Sequence, residues 1–231
     1  MIFRDSKKKA QKAYEARWKK VEDAAPGWLA IDENLKSIYG EREPDKHWAS
    51  PIESRAILGG SEIIDGVSVY ANDEQTVHHH LITYGLSDLY YSPESVGGEF
   101  SGYGFELTFR VKHQNDYGND GPVFATNVMR NIANYVHSSK KVISENHFMP
   151  AGGSLRLGYE SEIQACLFVY DPQLPVITDP HGRVEFIQLV GITMPEYEAM
   201  RDGKILAHEL ANQLSGNNRL LVTDLDRSSL I

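Results

Sequence analysis

The sequence predicts an α+β fold, a mixed β-sheet flanked by α-helices. Three observations carry that reading. Phe105, Leu107, Phe109 and Val111 alternate with Glu106, Thr108 and Arg110, the period of two of a half-buried strand. Phe124, Val128, Ile132, Tyr135 and Val136 recur at the period of an amphipathic helix. Helical patterns occupy both ends and the middle of the chain, with at least five strand patterns between them and a hairpin among these. That order argues against a purely parallel sheet.

Taken in order, residues 6–24 read as a helix with Tyr14, Trp18 and Val21 on one face, ended by Pro26-Gly27. Lys7, Lys8, Lys9, Lys12, Arg17, Lys19 and Lys20 make it basic, and a solvated helix face is the simpler reading of such a run than a binding patch. A second, short helix carries Ile31, Leu35 and Ile38 and stops at Gly40. Residues 41–54, with Pro44 and Pro51, read as a loop. Arg55–Leu58 and Ile63–Ala71 read as strands, the second interrupted at Asp65-Gly66. Leu81–Tyr84 is apolar on both faces, as in an interior strand. Pro122 opens a helix that runs to about Ser139. Glu145–Gly158 reads as an irregular loop. Ile163–Tyr170 is a strand. Val176-Ile177 and Val184–Thr193 form a hairpin about the turn Asp179-Pro180-His181-Gly182. Pro195 starts a helix broken at Asp202-Gly203, and Leu220–Val222 reads as a last short strand.

Composition bounds the function. The 231 residues carry a formal charge of −9, which argues against nucleic acid as the main partner. Hydrophobic content of 41% and charged content of 24% are those of a soluble globular protein. No apolar run reaches the roughly 20 residues needed to span a bilayer, and the polar, basic start has no apolar core of a secretory signal. The expected location is the cytoplasm, with no membrane partner. Cys166 is the single cysteine, so an intramolecular disulfide is impossible and a cysteine-based zinc site is nearly excluded.

Candidate chemistry is sparse. His78 and His80 share one face of a strand and could both reach an ion. A zinc site needs three or four ligands, and no HExxH motif is present, so packing in the fold is the simpler reading. A metal-dependent hydrolase using His78, His80 and a carboxylate stays as an alternative. Alternation places Glu106 in solvent or beside Arg110, and catalysis would need a second carboxylate, Asp88 or Glu99, at a fixed separation. Gly85-Leu86-Ser87-Asp88 lacks the Gly-x-Ser-x-Gly elbow. Gly102-Tyr103-Gly104 precedes a strand where a phosphate-binding fingerprint must follow one. No catalytic residue and no cofactor is therefore expected. Tyr84, Tyr90, Tyr91 and Tyr103 cluster beside Asp88 and Glu99. Tyrosine combines contact area with a polar tip and is enriched at protein interfaces; burial at a sheet edge is the equal alternative. Asp88, Tyr90, Glu99 and Tyr103 form the expected partner surface.

Gly85-Leu86-Ser87-Asp88-Leu89-Tyr90, Glu99-Phe100 and Gly102-Tyr103-Gly104-Phe105-Glu106-Leu107-Thr108-Phe109-Arg110 resemble the core motif of the Suppressor of fused (SUFU) family. Leu58-Gly59-Gly60, Asp65–Tyr70, His78 with His80, Asp171-Pro172-Gln173 and His181–Gly191 resemble further family segments in order. The resemblance covers roughly residues 25–226, after an N-terminal basic helix at 1–24, and no domain boundary interrupts 1–231. It implies a non-enzymatic protein-binding domain similar to the N-terminal domain of animal members. Those restrain a transcription factor by gripping an extended peptide between two domains. Tyr90 matches a family tyrosine that contacts the peptide. The family's peptide-contacting aspartate has no counterpart, because its segment is shortened here to Ser101-Gly102. Stand-alone members of this type look bacterial, which implies an immunity protein that neutralises a polymorphic toxin. Restraint of a transcription factor is the alternative that the animal members imply.

Overall fold

Strand β4 (Phe100–Lys112) is the longest in the chain, and it is buried on both faces from Gly104 to Val111. The computed structural model describes residues 2–51 and 62–231; the strand expected at Arg55–Leu58 lies outside them. Among the described residues the other α-helices and strands are, in chain order, α1 (Ile2–Trp18), α2 (Pro26–Tyr39), β1 (Lys46–Ala49), β2 (Gly66–Asn72), β3 (His78–Tyr84), α3 (Val123–Ser139), β5 (Phe148–Pro150), β6 (Ile163–Tyr170), β7 (Ile177–Thr178), β8 (Arg183–Thr193), α4 (Met194–Arg201) and α5 (Ala207–Ser215), with a 3-10 turn at Asn115–Tyr117. The fold is α+β, with a sheet ordered β1-β2-β3-β4-β8-β6-β5 and β7 added to β8.

The chain forms two compact units. One holds Met1–Glu43, Tyr84–Glu106 and Gln173–Phe186; the other holds Pro44–Thr83, Leu107–Pro172 and Ile187–Ile231.

In the second unit the ladders β1–β2, β3–β4, β5–β6 and β6–β8 are antiparallel. Ala165, Leu167 and Val169 of β6 and Val190 and Ile192 of β8 form a core closed by Met200 of α4 and Leu210 of α5. Helix α4 starts on a capping box: Glu196 N–H donates to Thr193 Oγ1, and Thr193 N–H donates to the Glu196 carboxylate at 2.8 Å. Burial opposes the charge on that carboxylate, but Arg227 outweighs it and holds the Glu196 pKa below its ordinary value.

Several expectations are corrected here. The 41–54 loop contains β1, with Lys46 opposite Val69 and Ala49 opposite Gly66. Its four residues alternate in exposure, but a run that short between Pro44 and Pro51 is overshadowed by its breakers. The 145–158 stretch contains β5, whose Pro150 sits on the sheet's last strand, where a missing N–H is tolerated. Leu220–Val222 is not a strand; a single parallel bridge follows it, between Thr223 and Val111.

The largest correction concerns the polar face of β4. Glu106, Thr108 and Arg110 are fully buried, so Glu106 does not face solvent. The Arg110 guanidinium donates to Asp171, at 2.6 Å and 3.1 Å, and to Gln188 Oε1. Thr108 Oγ1 donates to the same carboxylate at 2.7 Å. Burial works against the Asp171 charge, but Arg110 and His80 prevail and hold its pKa well below the carboxylate range. His80 lies 3.3 Å from Asp171 and is pushed down to about 4, first by burial and then by the Arg110 charge. A buried arginine is held only where its donors find acceptors, and this network supplies them.

Candidate functional site

The first unit carries the loop between β3 and β4 with Asp88, Tyr90 and Glu99 of the expected partner surface, and the start of β4 with Tyr103. Asp88, Tyr90 and Tyr103 are half-buried and Glu99 is exposed. The loop is shaped from beneath by buried polar groups.

Glu106 fixes its beginning. The carboxylate accepts the Gly85 N–H at 3.0 Å, the Ser87 N–H at 2.9 Å and the Ser87 hydroxyl at 2.7 Å. Gly102 permits the close approach that follows. Its φ is +56°, and a Cβ there would lie 2.6 Å from the Leu86 carbonyl oxygen. Tyr103 N–H therefore reaches Leu86 O at 2.8 Å. One step on, Asp88 N–H donates to Ser101 Oγ at 3.1 Å. These two bonds bring Asp88 and Tyr103 to adjoining positions. Glu99 is fixed differently, its carbonyl accepting Arg183 N–H at 3.1 Å.

A second set of groups holds the middle of the loop. Ser101 Oγ donates to Asp179 Oδ2 at 2.8 Å, while Asp179 Oδ1 accepts the N–H groups of His181 and Gly182. His181 Nδ1 lies 2.9 Å from Asp88 O, and its Nε2 lies 2.9 Å from the Tyr14 hydroxyl. Tyr14 O also accepts Ser92 N–H at 3.0 Å. A carbonyl can only accept, so the neutral ring donates from Nδ1 and accepts the Tyr14 O–H at Nε2. Burial lowers the His181 pKa, but the Asp179 carboxylate 3.7 Å from Nδ1, with Asp88, outweighs it and leaves the imidazole raised. The Tyr14 ring stacks on Tyr91 at 5.3 Å between centroids. Tyr90 sits between two backbone ties to the start of α2: Gly27 N–H to Leu89 O at 3.0 Å and Tyr91 N–H to Ala24 O at 2.9 Å.

Tyr84 divides from the other tyrosines. It is buried, stacks on Trp28 at 4.3 Å and donates to Asp32 at 2.8 Å. Sequence reasoning missed the supporting residues Tyr14, Ser101, Asp179 and His181. Tyr14 reads as an apolar-face residue and Asp179–Gly182 as a turn, which is correct as local structure but silent about what they touch. The available signal was that two segments distant in sequence each carry a polar group suited to burial.

His78 and His80 do point into the fold together, and both are fully buried. His78 Nδ1 lies 2.7 Å from Thr76 O. The carboxylate beside His80 is Asp171, which Arg110 already engages. Among the described residues no three His, Cys, Asp or Glu side chains are grouped to hold a metal ion. Cys166 is buried and its pKa is pushed up to about 12 by that burial. No helix among the described residues is long and apolar enough to cross a membrane.

Fold and site together define an α+β domain with a glycine-rich, aromatic and acidic loop buttressed by buried polar side chains. The profile of the Suppressor of fused protein (SUFU) family matches residues 60–228. The chain belongs to the Suppressor of fused family. It is 32% identical over 215 residues to the Suppressor of fused homologs of Homo sapiens and Mus musculus, covering 85% of this chain and 44% of each relative. It thus spans under half the length of these curated relatives. The Sufu chain of a Sufu–Fu complex crystal structure superposes with a TM-score of 0.78 at 27% identity, over 89% of this chain and 92% of that one. Drosophila Suppressor of Fused superposes with a TM-score of 0.77 at 27% identity, over 90% of this chain and 52% of that one. A SUFU homolog from Neisseria gonorrhoeae, at 12% identity and a TM-score of 0.55 over 88% of this chain and 96% of that one, shares the fold.

Proposed function

We propose that this chain is a cytoplasmic, non-catalytic protein-binding domain, and that its partner docks on Asp88, Tyr90, Glu99 and Tyr103. The observation that carries the reading is the buttressed loop: aromatic and acidic side chains stand partly exposed on a backbone pinned by Glu106, Ser101 and His181. Pre-organised aromatic anchors lose little entropy on binding and suit a macromolecular surface. The similarity to the Sufu chain of a Sufu–Fu complex supports a protein as partner. Within that reading the partner is a polymorphic toxin and the chain its immunity protein, an assignment supported by the formal charge of −9 and the acidic loop. Residues 1–231 act as one domain of the family.

The test is co-purification with the product of the adjacent gene, using Tyr90→Ala combined with Glu99→Ala. Capture should fall while the unfolding midpoint stays within a degree or two. Undiminished capture by the double variant removes this surface from the account. A partner that proves to be a transcription factor bound through an extended segment would replace the toxin reading and keep the surface.

A further inference from the structure

The histidine run of β3 has a third member that the protein-binding reading leaves unused. Strand alternation turns His79 away from the buried His78 and His80, and His79 is partly exposed. The β3–β4 register sets His79 opposite Val111. His113, two residues beyond Val111, is then its diagonal neighbour, within reach of a long side chain. The two rings meet: His79 Nε2 lies 3.0 Å from His113 Nδ1, with ring centroids 5.2 Å apart.

The pair is held from several sides. His113 N–H donates to Val77 O at 2.9 Å, which fixes its backbone beside the start of β3. The Tyr117 ring flanks both imidazoles, at 5.9 Å from His79 and 6.1 Å from His113. Tyr117 is fixed in turn by its hydroxyl, which donates to Lys112 O at 3.1 Å, and by the Arg156 guanidinium 5.1 Å above its ring.

We propose that His79 and His113 form a two-imidazole site for a divalent late first-row transition ion of the Cu²⁺, Ni²⁺ and Zn²⁺ class. The ion would lie between these two ring nitrogens, with the donor ring carrying its hydrogen on its other nitrogen, so that both imidazoles bind neutral. With metal–nitrogen bonds of about 2.0–2.1 Å, a 3.0 Å gap corresponds to a nitrogen–metal–nitrogen angle of roughly 95°. That is the angle between neighbouring positions of a tetragonal ion, and the nitrogens need open only slightly for a tetrahedral one. Imidazole is a ligand shared by all three ions, and Cu²⁺ leads the divalent affinity series. Two ligands leave open positions, which water or a side chain of a bound macromolecule completes. The site is distinct from the loop of the proposed partner surface, and neither reading depends on the other.

Untagged protein titrated with Cu²⁺ by calorimetry tests the proposal, with nitrogen hyperfine structure read by electron paramagnetic resonance. One equivalent should bind through two imidazole nitrogens. His113→Ala and His79→Ala should each weaken that equivalent by at least about tenfold, while His137→Ala combined with His208→Ala leaves it unchanged. Zn²⁺ should displace Cu²⁺ only in excess. His113 is exposed, so its variant keeps the fold and the test stands even where His79→Ala does not fold. Absence of a bound equivalent, or equal affinity in the His113→Ala variant, overturns the site.

Discussion

Replacing Glu106 separates two pictures of β4 by several kcal/mol. As a solvent-facing strand residue, it would tolerate alanine within about 0.5 kcal/mol. In the structure it is fully buried and its Oε1 accepts three donors from Gly85 and Ser87, at 2.7 to 3.0 Å. Each buried donor left without a partner costs about 1–3 kcal/mol. The Ser87 hydroxyl can rotate toward another acceptor, so two main-chain N–H groups set the scale, and Glu106→Ala should lose roughly 2–6 kcal/mol. A domain of this kind has about 5–15 kcal/mol in total, so the variant folds at reduced stability or at the margin. Glu106→Gln keeps an acceptor in place and loses only charge assistance, about 1–2 kcal/mol. Urea unfolding followed by tryptophan fluorescence gives both values, read as midpoint shifts at constant slope. Hydrogen exchange adds a local readout, since the Gly85 and Ser87 amides should lose protection first in the glutamine variant. An alanine variant as stable as the parent would refute the buttress and, with it, the argument for a rigid loop.

Three further outcomes are expected. Asp171→Asn leaves buried Arg110 short of its counter-charge and should cost about 3–5 kcal/mol at neutral pH, measured by urea unfolding. Because the Asp171 pKa is depressed on folding, its contribution is present above the ordinary carboxylate value and fades as pH falls, so the Asn variant should show a shallower acid limb. His181 has the opposite sign: its raised pKa gives stability that is full below its unfolded value and is lost as pH rises through the folded one. Tyr14→Phe removes a partner from both His181 and Ser92 and should cost about 1–3 kcal/mol in thermal unfolding. Gly102→Ala combines a φ of +56° with a Cβ 2.6 Å from Leu86 O. It should destabilise by more than about 1 kcal/mol and disturb Asp88 and Tyr103, visible as amide shifts in NMR spectra.

The elements that the sequence displays well are those that a single local pattern decides. Residues 163–170 and the hairpin about Asp179–Gly182 appear where apolar runs and turn residues place them. Helix α3 begins one residue after Pro122 and ends at Ser139. Where a run is short and bracketed by proline, as at Lys46–Ala49 and Phe148–Pro150, pairing with a neighbour decides the outcome, and no local pattern reports it. The family motif located the segment, in which Asp88, Tyr90 and Tyr103 are half-buried and Glu99 is exposed. The supporting groups stayed hidden because a buried polar residue and a surface one are written with the same letter.

That ambiguity was greatest in β4, and it explains how the loop is built. A strand with apolar residues on one side and Glu, Thr and Arg on the other matches the pattern of a solvated sheet. Here the polar side is fully buried, so each of those groups must find partners or destabilise the fold. Glu106 finds them in the main chain of the loop, whereas Thr108 and Arg110 find them in Asp171. Desolvation therefore makes the conformation of residues 85–87 a requirement of β4 burial. Conversely, Glu99 is exposed and Tyr90 half-buried, so both side chains are presented at the surface of this segment. Changing them alters what the segment presents and leaves Glu106, Ser101 and His181 in place. The Glu106 and Tyr90–Glu99 variants accordingly separate in their readouts: the first should move stability, the second partner capture alone.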